Sequence, residues 1–148
     1  MREIKFRAWD IENEYMITSK QGVYTALRNV MDITRQDDGY YNNGELLKPN
    51  KNKYELMQFT GLYDKNKTPI YEGDIVIFED CEMSTESGYG DTFINQGIVE
   101  YNNENCCFNV TERITVELVD VLYKGNESLE VIGNIYDNPD LLGEWIYE

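Results

Sequence analysis

Residues 56–78, LMQFTGLYDKNKTPIYEGDIVIF, constrain the fold most, because apolar runs alternate there with strong turn chemistry. Residues 56–59 form a short apolar-rich run, and residues 64–67 form a polar turn. A second tight turn at residues 72–74 leads into residues 75–78, a β-branched and aromatic run typical of a buried strand. The segment therefore predicts a strand, a loop, a short turn and a second strand.

Several residues of this segment are predicted to shape its turns. Thr60 and Gly61 end the first apolar run, and Pro69 stops a strand ladder because proline lacks an N–H group. Gly61 and Gly73 are expected at positive φ or at a close backbone approach. Asp74 is expected to hydrogen-bond to the backbone of its own turn. Further along the chain, the predicted structural turn residues are Gly133, Asn138 and Pro139.

The N-terminal third predicts a hairpin followed by one ambiguous segment. Period-two alternation over residues 2–9 indicates a half-buried strand, and residues 15–18 are its expected hairpin partner. In residues 22–34, apolar side chains at helical spacing favour a short helix, although β-branched residues leave a strand open. Residues 36–52 hold closely spaced turn signals and predict a surface excursion. The alternating apolar residues of the first strand are Ile4, Phe6 and Ala8, and the helical stripe is Val23, Leu27, Val30 and Met31.

The second half predicts short strands joined by turns. Strands are expected at residues 97–101, 106–110 and 129–135, the last interrupted by Gly133. Residues 79–91 are interpreted as a long acidic loop, and residues 114–122 as either a strand or a second helix. Asn138 followed by Pro139 indicates the start of one or two helical turns.

Together these signals predict a mainly β fold with one or two short helices. We expect a single domain of 148 residues, with an N-terminal hairpin and excursion over residues 1–56. Residues 57–136 would form a small, partly open SH3-like β-barrel, and residues 137–148 a short helix and tail.

Composition limits the cellular context and the partners. No apolar leader and no membrane-length apolar run occur in the sequence, so a cytoplasmic protein with no membrane contact is expected. The formal net charge is −15, and residues 71–148 alone hold eighteen acidic and two basic residues. Such a field argues against nucleic acid binding by the acidic half.

Three segments resemble one protein family in their residues, order and spacing. They are EIKFRAWD (3–10), MQFTGLYDKN with IYEGDIV (57–76) and VIGNIYDNPDLL (131–142). Together they resemble the YopX family of phage and prophage proteins. The resemblance implies a small, mainly β protein that acts inside a bacterial host, and it implies no activity. The family often has glycine where this chain has Lys67, so a loop wider than an Asn-Gly turn is expected.

For each possible chemical site, a purely structural role of its residues is the favoured interpretation. Acidic residues between 72 and 82 could bind a divalent cation, but their spacing matches no known loop, so no metal, cofactor or catalytic residue is predicted. Cys106 and Cys107 lack a histidine base, because the chain contains none, and one of them is expected to face the core. A basic and aromatic face for single-stranded nucleic acid competes with a solvated hairpin face. That face would comprise Arg2, Lys5, Arg7 and Trp9. The carboxylate cluster would comprise Glu72, Asp74, Glu79, Asp80 and Glu82.

The remaining hypotheses concern partners. A non-enzymatic binding module is favoured over a metal-dependent enzyme that uses carboxylates. The acidic half predicts either a solvated surface or a docking face for a basic host or phage protein, including a decoy for one that binds nucleic acid. Self-association is a separate expectation. The candidate partner-binding residues are Glu79, Asp80, Glu82, Glu86, Tyr89, Asp91 and Phe93.

Overall fold

A computed structural model describes residues 3–31, 41–42, 45–46, 50, 52–82, 91–111, 115–123 and 128–147. The chain forms two compact units, an N-terminal unit at Lys5–Gln58 and a C-terminal unit at Phe59–Glu148 with Met1–Ile4. The fold is mainly β with two helices, and it includes a curled half-barrel sheet, so the fold class predicted from the sequence is confirmed.

The N-terminal unit is built on a hairpin and one helix. Strand β1 (Phe6–Asp10) pairs antiparallel with β2 (Tyr15–Ile17), as the alternation predicts, and its other side pairs with the start of β5 (Tyr54–Tyr63). Helix α1 (Lys20–Val30) follows the hairpin. Two short strands, β3 (Tyr41–Asn42) and β4 (Glu45–Leu46), pair with each other.

Helix α1 begins where the sequence supplies a cap and buries only part of the predicted stripe. The Ser19 Oγ accepts a hydrogen bond from the Gly22 N–H at 3.2 Å, which caps the first turn. Val23 and Ala26 are buried, whereas Met31 is 61% exposed and lies beyond the helix end. The buried core of this unit comprises Ala8, Ile17, Val23 and Ala26.

The turn-rich segment contains one strand more than predicted. Strand β5 continues through Thr60 and Gly61, so the expected break there is wrong. The Thr60 hydroxyl donates to the Ile70 carbonyl at 2.9 Å, which joins β5 to the short strand β6 (Pro69–Tyr71). Pro69 is the first residue of β6, where a missing N–H group costs little.

The C-terminal unit contains a five-stranded antiparallel sheet in the order β10-β9-β8-β7-β11. Strands β7 to β9 form a meander, and β11 returns to the free side of β7 with a register shift between Val131 and Gly133. The strands are β7 (Asp74–Glu82), β8 (Asp91–Asn102), β9 (Cys107–Thr111), β10 (Thr115–Glu117) and β11 (Glu130–Asn134).

The segment that the sequence left ambiguous, residues 114–122, contains both elements. Strand β10 ends at Glu117, and helix α2 (Leu118–Tyr123) begins at the next residue. Leu118 and Val121 are buried at helical spacing, so α2 covers the sheet with one face. The core of this unit comprises Ile70, Val76, Phe78, Val99, Phe108, Val110, Leu118, Val121 and Leu129.

The helical turns expected from Pro139 onward are present as 3₁₀ turns. The 3₁₀ segment Pro139–Tyr147 is interrupted at Gly143, whose φ is 56°. The Asn138 side chain does not act as the expected cap, because its Oδ1 accepts from the Asn134 N–H at 3.3 Å instead. None of the described helices has the length and apolar character needed to cross a membrane.

A buried carboxylate joins the β5–β6 turn to β11. The Asp64 Oδ1 accepts from the N–H groups of Asn66 and Thr68, each at 2.8 Å, and its Oδ2 accepts from the Val131 N–H at 3.0 Å. Lys67 lies in this turn with a φ of 66°. Because Tyr63 pairs with Pro69, the turn spans more than two residues, as the sequence predicts. Charge-assisted bonds of this kind offset the strain of a non-glycine residue at positive φ.

The same bonds determine how Asp64 titrates. Burial alone would raise the pKa of Asp64, but the hydrogen bonds from Val131, Thr68 and Asn66 outweigh it and hold that pKa below its ordinary value. A lowered pKa in the folded state means that the stabilisation is present above the unfolded pKa of about 3.9. It is lost as the pH falls through the folded value.

Replacing Asp64 with Asn should therefore remove stability at neutral pH and flatten the acid response. We expect Asp64→Asn to lower the free energy of unfolding by about 2–3 kcal/mol at pH 7, because charge-assisted bonds are lost. At about pH 3, below the ordinary aspartate pKa of about 3.9, the difference from the parent should be smaller, because the stabilisation fades once the pH falls below that value. Denaturant unfolding at both pH values measures this, with exposed Asp140→Asn as the control. An unchanged difference at low pH would contradict the assignment.

Gly73 occupies a buried turn in which its backbone is bonded on both sides. Its φ is 75°, its N–H donates to the Val99 carbonyl at 2.8 Å, and its carbonyl accepts from the Ile135 N–H at 2.9 Å. A β-branched residue at this φ is strained by about 1–3 kcal/mol. We expect Gly73→Val to lose soluble folded protein, measured as yield and thermal midpoint. A variant with the parent's midpoint would disprove this role.

Gly97 lies where β9 approaches β8 closely. A Cβ added there would lie 2.5 Å from Val110 Cγ1 and 3.0 Å from the Thr111 carbonyl oxygen. Because Val110 is fully buried, the neighbours have little room to move, and Gly97→Ala should cost about 1–3 kcal/mol of stability. Thermal unfolding measures this loss of stability. A thermal midpoint equal to that of the parent would mean that the two strands separate easily enough here to admit the Cβ of alanine.

Candidate functional site

The strongest candidate for a functional surface is the outer part of the β7–β8 hairpin. The two strands pair residue by residue from Ile75 opposite Ile98 to Glu82 opposite Asp91. Strand β9 pairs with β8 only from Ile98 onward, and β11 pairs with β7 only up to Ile77. Residues 79–82 and 91–96 therefore form a two-stranded ribbon beyond the rest of the described sheet, which we call the arm.

Neither face of the arm is covered at its outer end. Thr92, Phe93 and Ile94 are consecutive strand residues, so their side chains alternate between the two faces. All three are exposed, Phe93 to 41% and Ile94 to 66%. Large apolar side chains on both faces of a solvated ribbon resemble the anchors of protein interfaces more than a core.

The base of the arm is held by hydrogen bonds to later parts of the chain. The Glu79 N–H donates to Ser128 Oγ at 2.8 Å, just before β11 begins. The Gln96 side-chain amide donates to the Leu141 carbonyl in the 3₁₀ segment. These bonds fix the arm where it leaves the five-stranded sheet.

The residues predicted to bind a partner fall mostly on this arm, but in strands rather than in the expected loop. The prediction of a loop over residues 79–91 is wrong at both ends, because β7 extends to Glu82 and β8 begins at Asp91. Phe93 pairs with Asp80, and Glu79 pairs with Ile94. Glu86 and Tyr89 lie outside the described residues.

The predicted turn residues take structural positions. Gly61 has a φ of 90°. Buried Asp74 accepts from the Tyr71 N–H through Oδ2 at 2.8 Å, so its carboxylate closes the turn around Gly73. Gly133 lies at the β11 register shift, where an added Cβ would lie 2.5 Å from Asn138 Oδ1. Pro139 begins the 3₁₀ segment.

The carboxylates do not assemble into a metal site in the part of the chain that is described. No three His, Cys, Asp or Glu residues there lie close enough to hold an ion. Asp10 resembles Asp64, because its Oδ1 accepts from the N–H groups of Glu12 and Asn13 at 3.1 and 3.0 Å. Burial would raise the pKa of Asp10, but these bonds and that from the Asn13 side chain lower it, so this carboxylate stabilises a turn.

The two adjacent cysteines differ from their predicted placement. Cys106 is exposed in the β8–β9 turn with a φ of 55°, and Cys107 is half-buried, so neither faces the core. Partial burial raises the pKa of the Cys107 thiol, and the charges of Glu117 and Asp120 raise it further. A thiol held in its protonated form is a poor nucleophile at neutral pH.

The residues of the candidate basic and aromatic face lie in different environments. Trp9 is buried, because β1 is the central strand between β2 and β5 and its last three residues are all covered. The Arg7 Nε–H points to the Met57 sulfur at 3.4 Å. Lys5 is exposed, and Arg2 lies outside the described residues.

Sequence reasoning missed two residues that the structure brings forward. Ile94 was not selected, because it lies between the expected acidic loop (79–91) and the expected strand (97–101), and the apolar pair Phe93-Ile94 was not interpreted as part of a strand. Asp64 was assigned only to a polar turn. An aspartate that precedes two turn residues and a threonine is a signal for the bonds that it makes.

The comparisons with known proteins agree with this architecture. The family described as YopX protein matches residues 5–143. The chain is similar in fold to the crystal structure of protein EF1440 from Enterococcus faecalis, with a TM-score of 0.53 and 23% identity. The similarity covers 96% of this chain and 99% of that chain, and at this identity it concerns the fold alone. No curated protein matches the chain. Since the family match spans nearly all of its length, the protein belongs to the YopX family.

Proposed function

We propose that the protein is a phage- or prophage-encoded binding module, without enzymatic activity, that acts in the bacterial cytoplasm. Its docking surface is the arm, and its partner is a basic protein. The observation that carries this proposal is the exposure of Thr92, Phe93 and Ile94 on both faces of one ribbon.

Apolar exposure at this position supports docking rather than a solvated loop. A ribbon that stays solvated carries polar residues on both faces. Keeping the apolar side chains of Phe93 and Ile94 in contact with water costs free energy. Burying them against a partner would recover that free energy. Aromatic and branched side chains on strands that also carry acidic residues match the usual composition of an apolar centre and a polar rim.

The charge of the arm supports a basic partner. The strands of the arm carry Glu79, Asp80, Glu82 and Asp91, and residues 68–112 contain no Lys or Arg. At physiological salt the Debye length is about 8 Å, so only closely spaced charges act on an approaching protein. Four carboxylates on one short ribbon meet that condition and would speed association with a positive surface.

The same charge favours one particular kind of partner, a protein that ordinarily binds nucleic acid. Such proteins present lysine and arginine at positions that match phosphates. Acidic residues of the arm would occupy those positions and block nucleic acid binding. The protein would then act as an acidic decoy.

Neutralising the arm should abolish partner binding without affecting the fold. In the variant Glu79→Gln, Asp80→Asn, Glu82→Gln and Asp91→Asn, we expect an unchanged thermal midpoint. A partner recovered by pull-down from bacterial lysate should be lost, because four of the charges that attract it are gone. The partner of the parent protein should also dissociate as salt is raised.

A variant with the same change in net charge provides the control. Glu100→Gln, Glu104→Gln, Asp120→Asn and Asp140→Asn remove four exposed carboxylates that lie outside the arm. This variant should keep the partner. Equal loss with both variants would attribute binding to overall charge, and retention by the arm variant would reject the arm as the docking surface.

A further inference from the structure

Gln96 lies at the base of the arm, where the arm leaves the five-stranded sheet. It pairs with Ile77, which is the outermost residue of β7 that pairs with β11. Strand β9 pairs with β8 from Ile98 onward. A two-stranded hairpin is at best marginally stable by itself, so contacts at its base determine how well the arm is ordered.

The side chain of Gln96 connects the arm to the C-terminal 3₁₀ segment. It is half-buried, and its amide donates to the Leu141 carbonyl. Because side chains alternate along a strand, Gln96 lies on the same face of β8 as Ile94, which is exposed. The bond therefore holds the face of the arm that carries Ile94.

The 3₁₀ segment that accepts this bond is itself fixed to the sheet. The Leu141 N–H donates to the Asn138 carbonyl at 3.1 Å, and the Asn138 N–H donates to the Asn134 carbonyl at 3.0 Å. Asn134 is the last residue of β11 and pairs with Asp74 in β7. A continuous series of hydrogen bonds thus runs from the arm through the 3₁₀ segment to the sheet.

We infer that Gln96 is a positioning residue for the docking surface, because it couples the order of the arm to that of the 3₁₀ segment. This inference rests on the proposed docking function and adds how the affinity of that surface is set. An arm that is ordered before the partner arrives loses less conformational entropy on binding. The coupling is reciprocal, so a ligand on the arm also orders the 3₁₀ segment.

Three variants separate the hydrogen bond from other effects of a substitution. Gln96→Met keeps a similar length but removes the amide. Gln96→Lys keeps a donor of similar reach. Thr25→Val is the matched control, because it removes another exposed bond from a side chain to the backbone, that from the Thr25 hydroxyl to the Gln21 carbonyl in α1.

Amide hydrogen exchange in the free, full-length protein tests the coupling without a partner. In Gln96→Met we expect faster exchange within residues 92–96 and 140–142, with unchanged exchange at Val99 and Val110 in the sheet. Gln96→Lys and Thr25→Val should exchange like the parent in these segments. Unchanged exchange in Gln96→Met would overturn the role of Gln96, whatever the arm binds.

Titration with a synthetic peptide of alternating lysine and leucine tests the effect on docking. This probe carries the positive charge and the apolar side chains that the proposed partner requires. Gln96→Met should bind it about twofold to tenfold more weakly than the parent, since one hydrogen bond contributes about 0.5–1.5 kcal/mol and 1.4 kcal/mol is tenfold. Thr25→Val should bind it like the parent. Faster exchange with unchanged affinity would overturn the link to docking.

Exchange with the peptide bound distinguishes coupling from a purely structural role. In the parent, the peptide should slow exchange within residues 140–142, and this protection should be lost in Gln96→Met. Protection that persists in the variant would mean that the peptide contacts the 3₁₀ segment directly, which would overturn the coupling. A parent that does not bind the peptide, even at low salt, would count against the proposed basic partner, while exchange in the free protein would still decide whether Gln96 orders the arm.

Discussion

The hydrogen bonds to Asp64 hold together segments that are far apart in sequence. One carboxylate accepts three backbone N–H groups, two from its own turn and one from β11. The Lys65 N–H adds a bond to the Leu129 carbonyl at 3.0 Å, and its side chain pairs with Glu130. This junction therefore joins β11 to the β5–β6 turn, in addition to its pairing with β7.

Two of the three segments that carry the family resemblance, the central and the C-terminal one, meet around this junction and the neighbouring glycine turn. Asp64 belongs to the central segment, and Val131 belongs to the C-terminal one. Gly73 bonds to Val99 in β8 and to Ile135 just after β11, so the turn before β7 is also joined to the C-terminal segment. These residues maintain the fold, which explains why they identify a family without indicating a chemical activity.

The sequence predicted those elements whose spacing of apolar residues matches the residues that the fold buries. The first hairpin, α1 and the strand through Val99 follow from periodicity. Strand β6 was missed because it has three residues and begins with proline. The outer strands of the arm were mistaken for a loop because a ribbon that is solvated on both faces has no period-two pattern of burial. Their role as a docking surface, like that of Phe93, remains a prediction.

The return of β11 has a consequence for how the chain folds. Strands β7 to β10 follow one another along the chain, so their hairpins close short loops. The bond between Asp64 and Val131 joins residues 67 positions apart, and closing such a loop costs conformational entropy before any contact repays it. We therefore expect the meander to form first and β11 to dock last. Until it does, the side of β7 that pairs with β11 in the finished fold is itself an exposed strand edge, to which a second chain could add a strand before folding is complete.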